Sequence, residues 1–99
     1  MKHDIKQKII EELIHLQSRA ILFTTIKKGM TANELSEKLK IPIGSVYKKL
    51  DDLQNLALIE VEKQIISDTG RKFKIYKSRI SSAKISIQTT NPSLNLDPN

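Results

Sequence analysis

The side chains with most to offer chemically are cationic, and they are clustered. Residues 63–84 hold seven basic groups (Lys63, Arg71, Lys72, Lys74, Lys77, Arg79 and Lys84) and one acid, Asp68. The whole chain has 17 Lys and Arg against 11 Asp and Glu, a net charge of +6. This one segment therefore carries the entire excess. A localised basic patch attracts polyanions more strongly than the same charge spread evenly. Residues suited to bond-breaking chemistry are not grouped in the same way. His3 and His15 stand more than three helical turns apart, too far to chelate one metal from a single straight helix. No histidine has the Ser and Asp context of a hydrolase triad, and no Gly-rich phosphate loop is present. Glu11-Glu12 and Asp51-Asp52 are adjacent pairs, which point apart on a helix. The absence of cysteine excludes disulfides, thiolate metal sites and cysteine nucleophiles. The sequence reads as a non-enzyme, with no catalytic residue, metal or cofactor.

The elements that must position the basic patch can be read from hydrophobic spacing. Ninety-nine residues, 38% apolar and 28% charged, suit one small globular domain. No apolar run is long enough to span a membrane, and Met1-Lys-His-Asp-Ile5 leads into an amphipathic pattern rather than a secretory signal. A cytoplasmic protein is expected. Residues 4–28 read as helix: Ile9, Leu13, Leu16, Ala20 and Phe23 form one stripe, with Ile10, Ile14 and Ile21 beside it. At about 37 Å this helix exceeds what a small domain needs, so either it breaks near Ser18 or its first half projects. Gly29 is expected to end it, with Lys27 and Lys28 in the last turn. Thr31-Ala-Asn-Glu34 is a capping box for a short second helix, interrupted at Lys40-Ile41-Pro42. A third helix is predicted over 43–55, with Ile43, Val46, Leu50 and Leu53 as its buried stripe.

Beyond Ala57 the period changes to two. Ile59, Val61 and Ile65 alternate with polar residues, and Ser67-Asp-Thr-Gly70 is a turn. Residues 71–77 return, with Phe73 and Ile75 on one face and Lys72, Lys74 and Tyr76 on an outer, basic one. Ile85 and Ile87 mark a possible further strand. The tail from Thr89 is expected to be disordered, so the domain is placed at 1–88.

Helix, short helix, tight turn, helix and hairpin is the order of a helix-turn-helix with a wing. The segment Ser45-Val-Tyr-Lys-Lys-Leu-Asp-Asp-Leu-Gln-Asn-Leu-Ala-Leu-Ile-Glu60 resembles the winged helix-turn-helix of prokaryotic transcription regulators, most nearly the ArsR and MarR types. Thr31–Leu39 resembles their second helix, and Gly70–Tyr76 the return strand of their wing. The likeness covers about residues 18–80. It departs from many relatives in having Pro42 and Ile43 where Ser or Asp caps the third helix, and in lacking the Cys cluster of thiol-using metal sensors. The resemblance implies a mainly α fold with one small β-hairpin, a three-helix core plus wing. It also implies sequence-specific binding of double-stranded DNA. The alternative is a winged helix used as a protein-interaction module within a transcription assembly.

Candidate roles follow from the helical wheel. Lys48 points almost directly away from the buried stripe of the third helix. Gly44, Ser45, Asp52 and Asn55 share its outer half, and Tyr47 and Lys49 lie on the flanks. A recognition helix contacts bases mainly through its N-terminal residues. Ser45 and Lys48 are expected at base edges or nearby phosphates. Gly44 is expected to allow close approach to a phosphate, and Tyr47 to meet a phosphate or a thymine methyl. Each has a plainer structural reading: Lys48 and Lys49 pairing with Asp51 or Asp52, and Tyr47 packing beside Leu50. Thr31 is chiefly a cap that also stands near the phosphates. Lys63, Arg71, Lys72 and Lys74 are the wing's phosphate contacts. The two apolar stripes of the first helix imply a second covered surface, hence a homodimer through residues 5–23, with Ile80, Ile85 and Ile87 adding to it.

Overall fold

The first apolar stretch folds as two helices rather than one. The computed structural model of the chain describes residues 5–99; His3 of the sequence reading lies outside them. α1 spans Ile5–Ile14 and α2 spans Leu16–Thr24. The break falls at His15, an extended residue that precedes α2 without a side-chain cap. It lies three residues before Ser18, the expected break. Ser18 is instead fully buried inside α2, and its hydroxyl donates to the Glu12 carboxylate. The break changes the phase of the apolar stripe. Ile9, Ile10 and Leu13 of α1 and Ile21 and Leu22 of α2 are buried, while Ile14, Leu16 and Phe23 are exposed.

α2 ends before Lys27, Lys28 and Gly29, at Thr25, whose N–H donates to the Leu22 carbonyl and whose hydroxyl donates to the Ile21 and Leu22 carbonyls at 3.0 Å each. Gly29 has a different task from ending a helix. Met30 pairs with Tyr76, N–H to carbonyl in both directions at 3.0 and 2.8 Å. A Cβ at position 29 would stand 2.5 Å from Ile75 Cγ2. The backbone can approach the strand only without a side chain there.

α3, Ala32–Leu39, opens on the predicted capping box. Thr31 Oγ1 accepts from the Glu34 N–H, and the Glu34 carboxylate accepts from the Thr31 N–H at 2.9 Å. That second bond is the main reason the Glu34 carboxyl titrates below its ordinary range. The charged box therefore supports the fold above the ordinary carboxyl pKa and is lost as pH falls through the lowered one. Lys40 turns the chain in a left-handed conformation at φ 58°. α4 runs Ile43–Asn55 as predicted, with Val46, Leu50 and Leu53 buried. Ile43 does not complete the stripe and is 40% exposed. Ile41 takes the core position just before the helix, held by its N–H to the Ser36 carbonyl and its own carbonyl to the Ser36 hydroxyl.

Two antiparallel hairpins follow. β1 (Ile59–Ile66) pairs with β2 (Lys72–Ser78), and β3 (Ile80–Ser86) pairs with β4 (Ser93–Pro98). This overturns the expected mainly α fold of three helices plus a single wing. The chain is a small α+β fold, with strands of 8, 7, 7 and 6 residues beside helices of 10, 9, 8 and 13. The disordered tail expected from Thr89 is likewise replaced in part by β4. Leu94 and Leu96 pack on the core, and the Asn99 amide donates to the Ile26 and Ser78 carbonyls. Ile80, expected at a dimer surface, is buried in that core.

Beyond Asn55 the chain turns away from α4 at Ala57, whose φ of 59° lets the Ala57 and Leu58 N–H groups reach the Gln54 and Leu53 carbonyls at 2.9 Å. A Cβ in this region costs about 1 kcal/mol, which glycine avoids. Ala57→Gly is expected to stabilise the fold by about 0.5–1 kcal/mol, since glycine's greater freedom in the unfolded chain offsets part of the gain. Thermal unfolding should show a rise in Tm of a few degrees.

Candidate nucleic-acid interface

Tyr76 decides which face of the first hairpin looks toward the helices. It is 6% exposed and lies in the core. Side chains alternate across a strand, so Lys74 and Lys72 share its face. Cross-strand register adds Gln64 opposite Lys74 and Ile66 opposite Lys72. Alternation with Lys72 and Lys74 predicts an outer, basic surface for Tyr76. Its face is instead the inner one at the hairpin base, and the same face opens farther out along a cleft toward α4.

That cleft is about 460 Å³. Thr31 and Asn33 reach it from the start of α3, Tyr47, Asp51 and Gln54 from α4, and Gln64, Lys72, Lys74 and Tyr76 from the hairpin. Four predicted site residues, Thr31, Tyr47, Lys72 and Lys74, thus meet at one place. Tyr47 is 54% exposed rather than packed away beside Leu50. Its nearness, after burial itself, helps raise the Tyr76 phenol pKa. Gln54 and Gln64 escaped the sequence reading because a neutral amide neither marks a hydrophobic period nor contributes to a charge count.

The other predicted residues are distributed differently. Gly44 is exposed, and a Cβ there would meet nothing within 4 Å, so the start of α4 is sterically open. Lys48 is also exposed, but its ammonium donates to Asp52 at 2.8 Å. That hydrogen bond is the chief reason its pKa is raised, so the side chain stays charged. Ser45 is half-buried. Lys49 turns to α1, where its ammonium is 3.8 Å from the Glu12 carboxylate with both side chains largely covered. Its position favours a structural role over phosphate contact. Lys63 stands opposite Ile75, on the hairpin face away from Lys72 and Lys74. Arg71 is at the tip, its guanidinium 5.8 Å from the centre of the Phe73 ring.

The seven-cation segment is therefore divided by the fold. Lys77 pairs with Glu62 and Arg79 with Glu60 near the hairpin base, at 3.4 and 3.8 Å. Lys63, Lys72 and Lys74, nearer the tip, have no acid partner among the described residues. Among those residues no group of three or more His, Asp or Glu side chains is gathered to hold a metal, and no helix is long and apolar enough to cross a membrane. Comparison with protein-family models and with curated proteins gives no match.

Glu12 holds α1 to its neighbours through both the Ser18 hydroxyl and Lys49. Glu12→Ala leaves a buried hydroxyl and a covered ammonium without that acceptor. Urea unfolding should give a loss of about 2 kcal/mol. Lys49→Met, which keeps the aliphatic stem, should cost less.

Proposed function

We propose that this chain is a sequence-specific double-stranded DNA-binding transcription regulator working in the cytoplasm, and that it is a binding protein rather than an enzyme. One observation carries the reading: the unpaired Lys72 and Lys74 of the hairpin and the exposed Tyr47 of α4 open on the same side of the molecule. A duplex laid across that side meets both elements together. Lys72 and Lys74 take phosphates, which orient the protein without reading sequence. The open N-terminal turns of α4, with Gly44, Ser45 and Lys48, enter the major groove. Lys48 exchanges Asp52 for a guanine edge or a phosphate, an inexpensive exchange for a solvated pair. Thr31 and Asn33 border the same track at the start of α3. The resemblance of residues 18–80 to ArsR and MarR regulators supports the same reading.

The working form is a homodimer joined through α1 and α2. Ile14, Leu16 and Phe23 are exposed at 64, 72 and 40%, apolar surface that a second copy would cover. Two-fold symmetry then sets two α4 helices about 34 Å apart, on a palindromic site. The second reading, a protein-interaction module, draws on Ile65 and Ile66, which the hairpin exposes at 44 and 64%.

Electrophoretic titration against genomic fragments at several salt concentrations tests the proposal. Each phosphate contact contributes about −0.9 to the log–log salt slope, and about four to six contacts per subunit are expected. Lys72→Ala and Lys74→Ala should each weaken binding to all sequences alike and flatten the slope by about one. Lys48→Ala should relax discrimination among sequences. Affinity and specificity unchanged in all three variants would exclude this surface. Leu16→Glu should convert the dimer to monomer in sedimentation velocity at micromolar protein, and a wild-type monomer would remove the dimer from the proposal.

A further inference from the structure

The tip of the first hairpin combines two properties that a phosphate clamp alone does not need. It is cationic, and it holds an apolar side chain out in solvent on its cleft-side face. Ile66 is 64% exposed and lies across the ladder from Lys72, on the face that carries Lys74 and Gln64. Ile65 points the other way, opposite Phe73, whose ring also lies near the Arg71 guanidinium. Ile66 is the more exposed of the two.

The turn that carries Ile66 is braced. The Ser67 N–H donates to the Arg71 carbonyl at 2.8 Å, and the Arg71 N–H donates to the Ser67 hydroxyl at 3.1 Å. The Gly70 N–H donates to the Ser67 carbonyl at 2.9 Å, with Gly70 at φ 82°. A tip already ordered loses little conformational freedom on binding.

An occupant for this tip must be anionic around its rim and apolar within. The minor groove of a duplex meets both demands: phosphates line its edges, sugar rings form its walls, and base faces open to an apolar side chain where a step unstacks. Side chains such as isoleucine enter between base steps there and kink the helix. We infer that Ile66 is a minor-groove wedge, inserted beside the segment read by α4, and that this protein bends the DNA it binds. The inference rests on the DNA-binding reading above and adds a deformation to it. The sharing of one face by Ile66, Lys72 and Lys74 favours a duplex already held by α4. An anionic lipid surface would meet the tip end-on and bury Ile65 and Ile66 alike.

The test uses the full chain and a duplex of roughly 30 base pairs, end-labelled for energy transfer, with 2-aminopurine placed along the predicted contact. The sequence is taken from the fragment retained in the titration above. Wild-type protein should shorten the end-to-end distance, corresponding to a bend of about 20–90°, and raise 2-aminopurine fluorescence as a step unstacks. Ile66→Ser should abolish both signals while weakening binding by less than about tenfold, because Lys72 and Lys74 remain to hold phosphates. Ile66→Leu should retain them. The side chain is exposed, so an unchanged circular dichroism spectrum and Tm are expected and certify the fold.

Binding without a bend, or a bend unchanged in Ile66→Ser, overturns the wedge and leaves the DNA-binding reading intact. Failure of wild-type protein to bind any duplex at low salt overturns both. A parallel flotation assay uses vesicles of phosphatidylserine and phosphatidylcholine. Vesicle binding lost in Ile66→Ser, with duplex bending unchanged, assigns the tip to a lipid surface and overturns the wedge. Loss of a protein partner from that variant with the bend unchanged overturns it equally.

Discussion

The pairing of Met30 with Tyr76 is the constraint on which the useful geometry depends. Two backbone hydrogen bonds fasten the segment between α2 and α3 to the middle of β2. They require Gly29 beside them, because any side chain there would collide with Ile75. Tyr76 is thereby fixed in the core, where loss of hydration raises its pKa and keeps the phenol protonated. Everything on the hairpin is then determined by alternation. A slip of one residue would send Lys72, Lys74 and Ile66 to the far side and put Ile75 in their place.

This dependence explains which parts of the fold were legible in the sequence. α4 and the Thr31–Glu34 box were readable because both are local: hydrophobic spacing sets the first and reciprocal side-chain bonds close the second. The first hairpin was readable from its period and the Ser67–Gly70 turn. The direction of its faces was not. Tyr76 alternates with the same phase as two lysines, and a count of polar neighbours assigns it to solvent. Only the distant Met30 bridge shows that the base of this face is core. The β3–β4 hairpin was hidden for a related reason. Leu94 and Leu96 alternate over too few residues, amid Asn, Ser and Pro, to stand out from a solvated tail. Their burial depends on a core assembled from other parts of the chain.

Charge was legible in amount but not in placement. Seven cations in 22 positions suggest a uniformly basic hairpin, yet Glu60 and Glu62 lie just before the counted segment and neutralise Lys77 and Arg79 across the ladder. What remains is a gradient, balanced at the base and positive toward the tip. Such a gradient is better suited than a uniform patch to fixing orientation. A polyanion drawn in by the field is attracted toward the outer half of the hairpin, across the cleft from Tyr47 of α4.

The same logic gives α1 a meaning beyond an added helix. Glu12 engages Lys49 on the flank of α4 away from Tyr47, Asp51 and Gln54. α4 is thus held from one side by α1 and left open on the side that faces the hairpin. Lys49, adjacent in sequence to Lys48, serves a different purpose because a step of 100° around the helix takes it to another neighbour. Its ion pair with Glu12 ties the orientation of α4 to α1, the helix that ends at Ile14, two residues before Leu16. Covering that apolar surface by a second copy would steady α1, and through Glu12 and Lys49 it would also steady the helix proposed to read DNA.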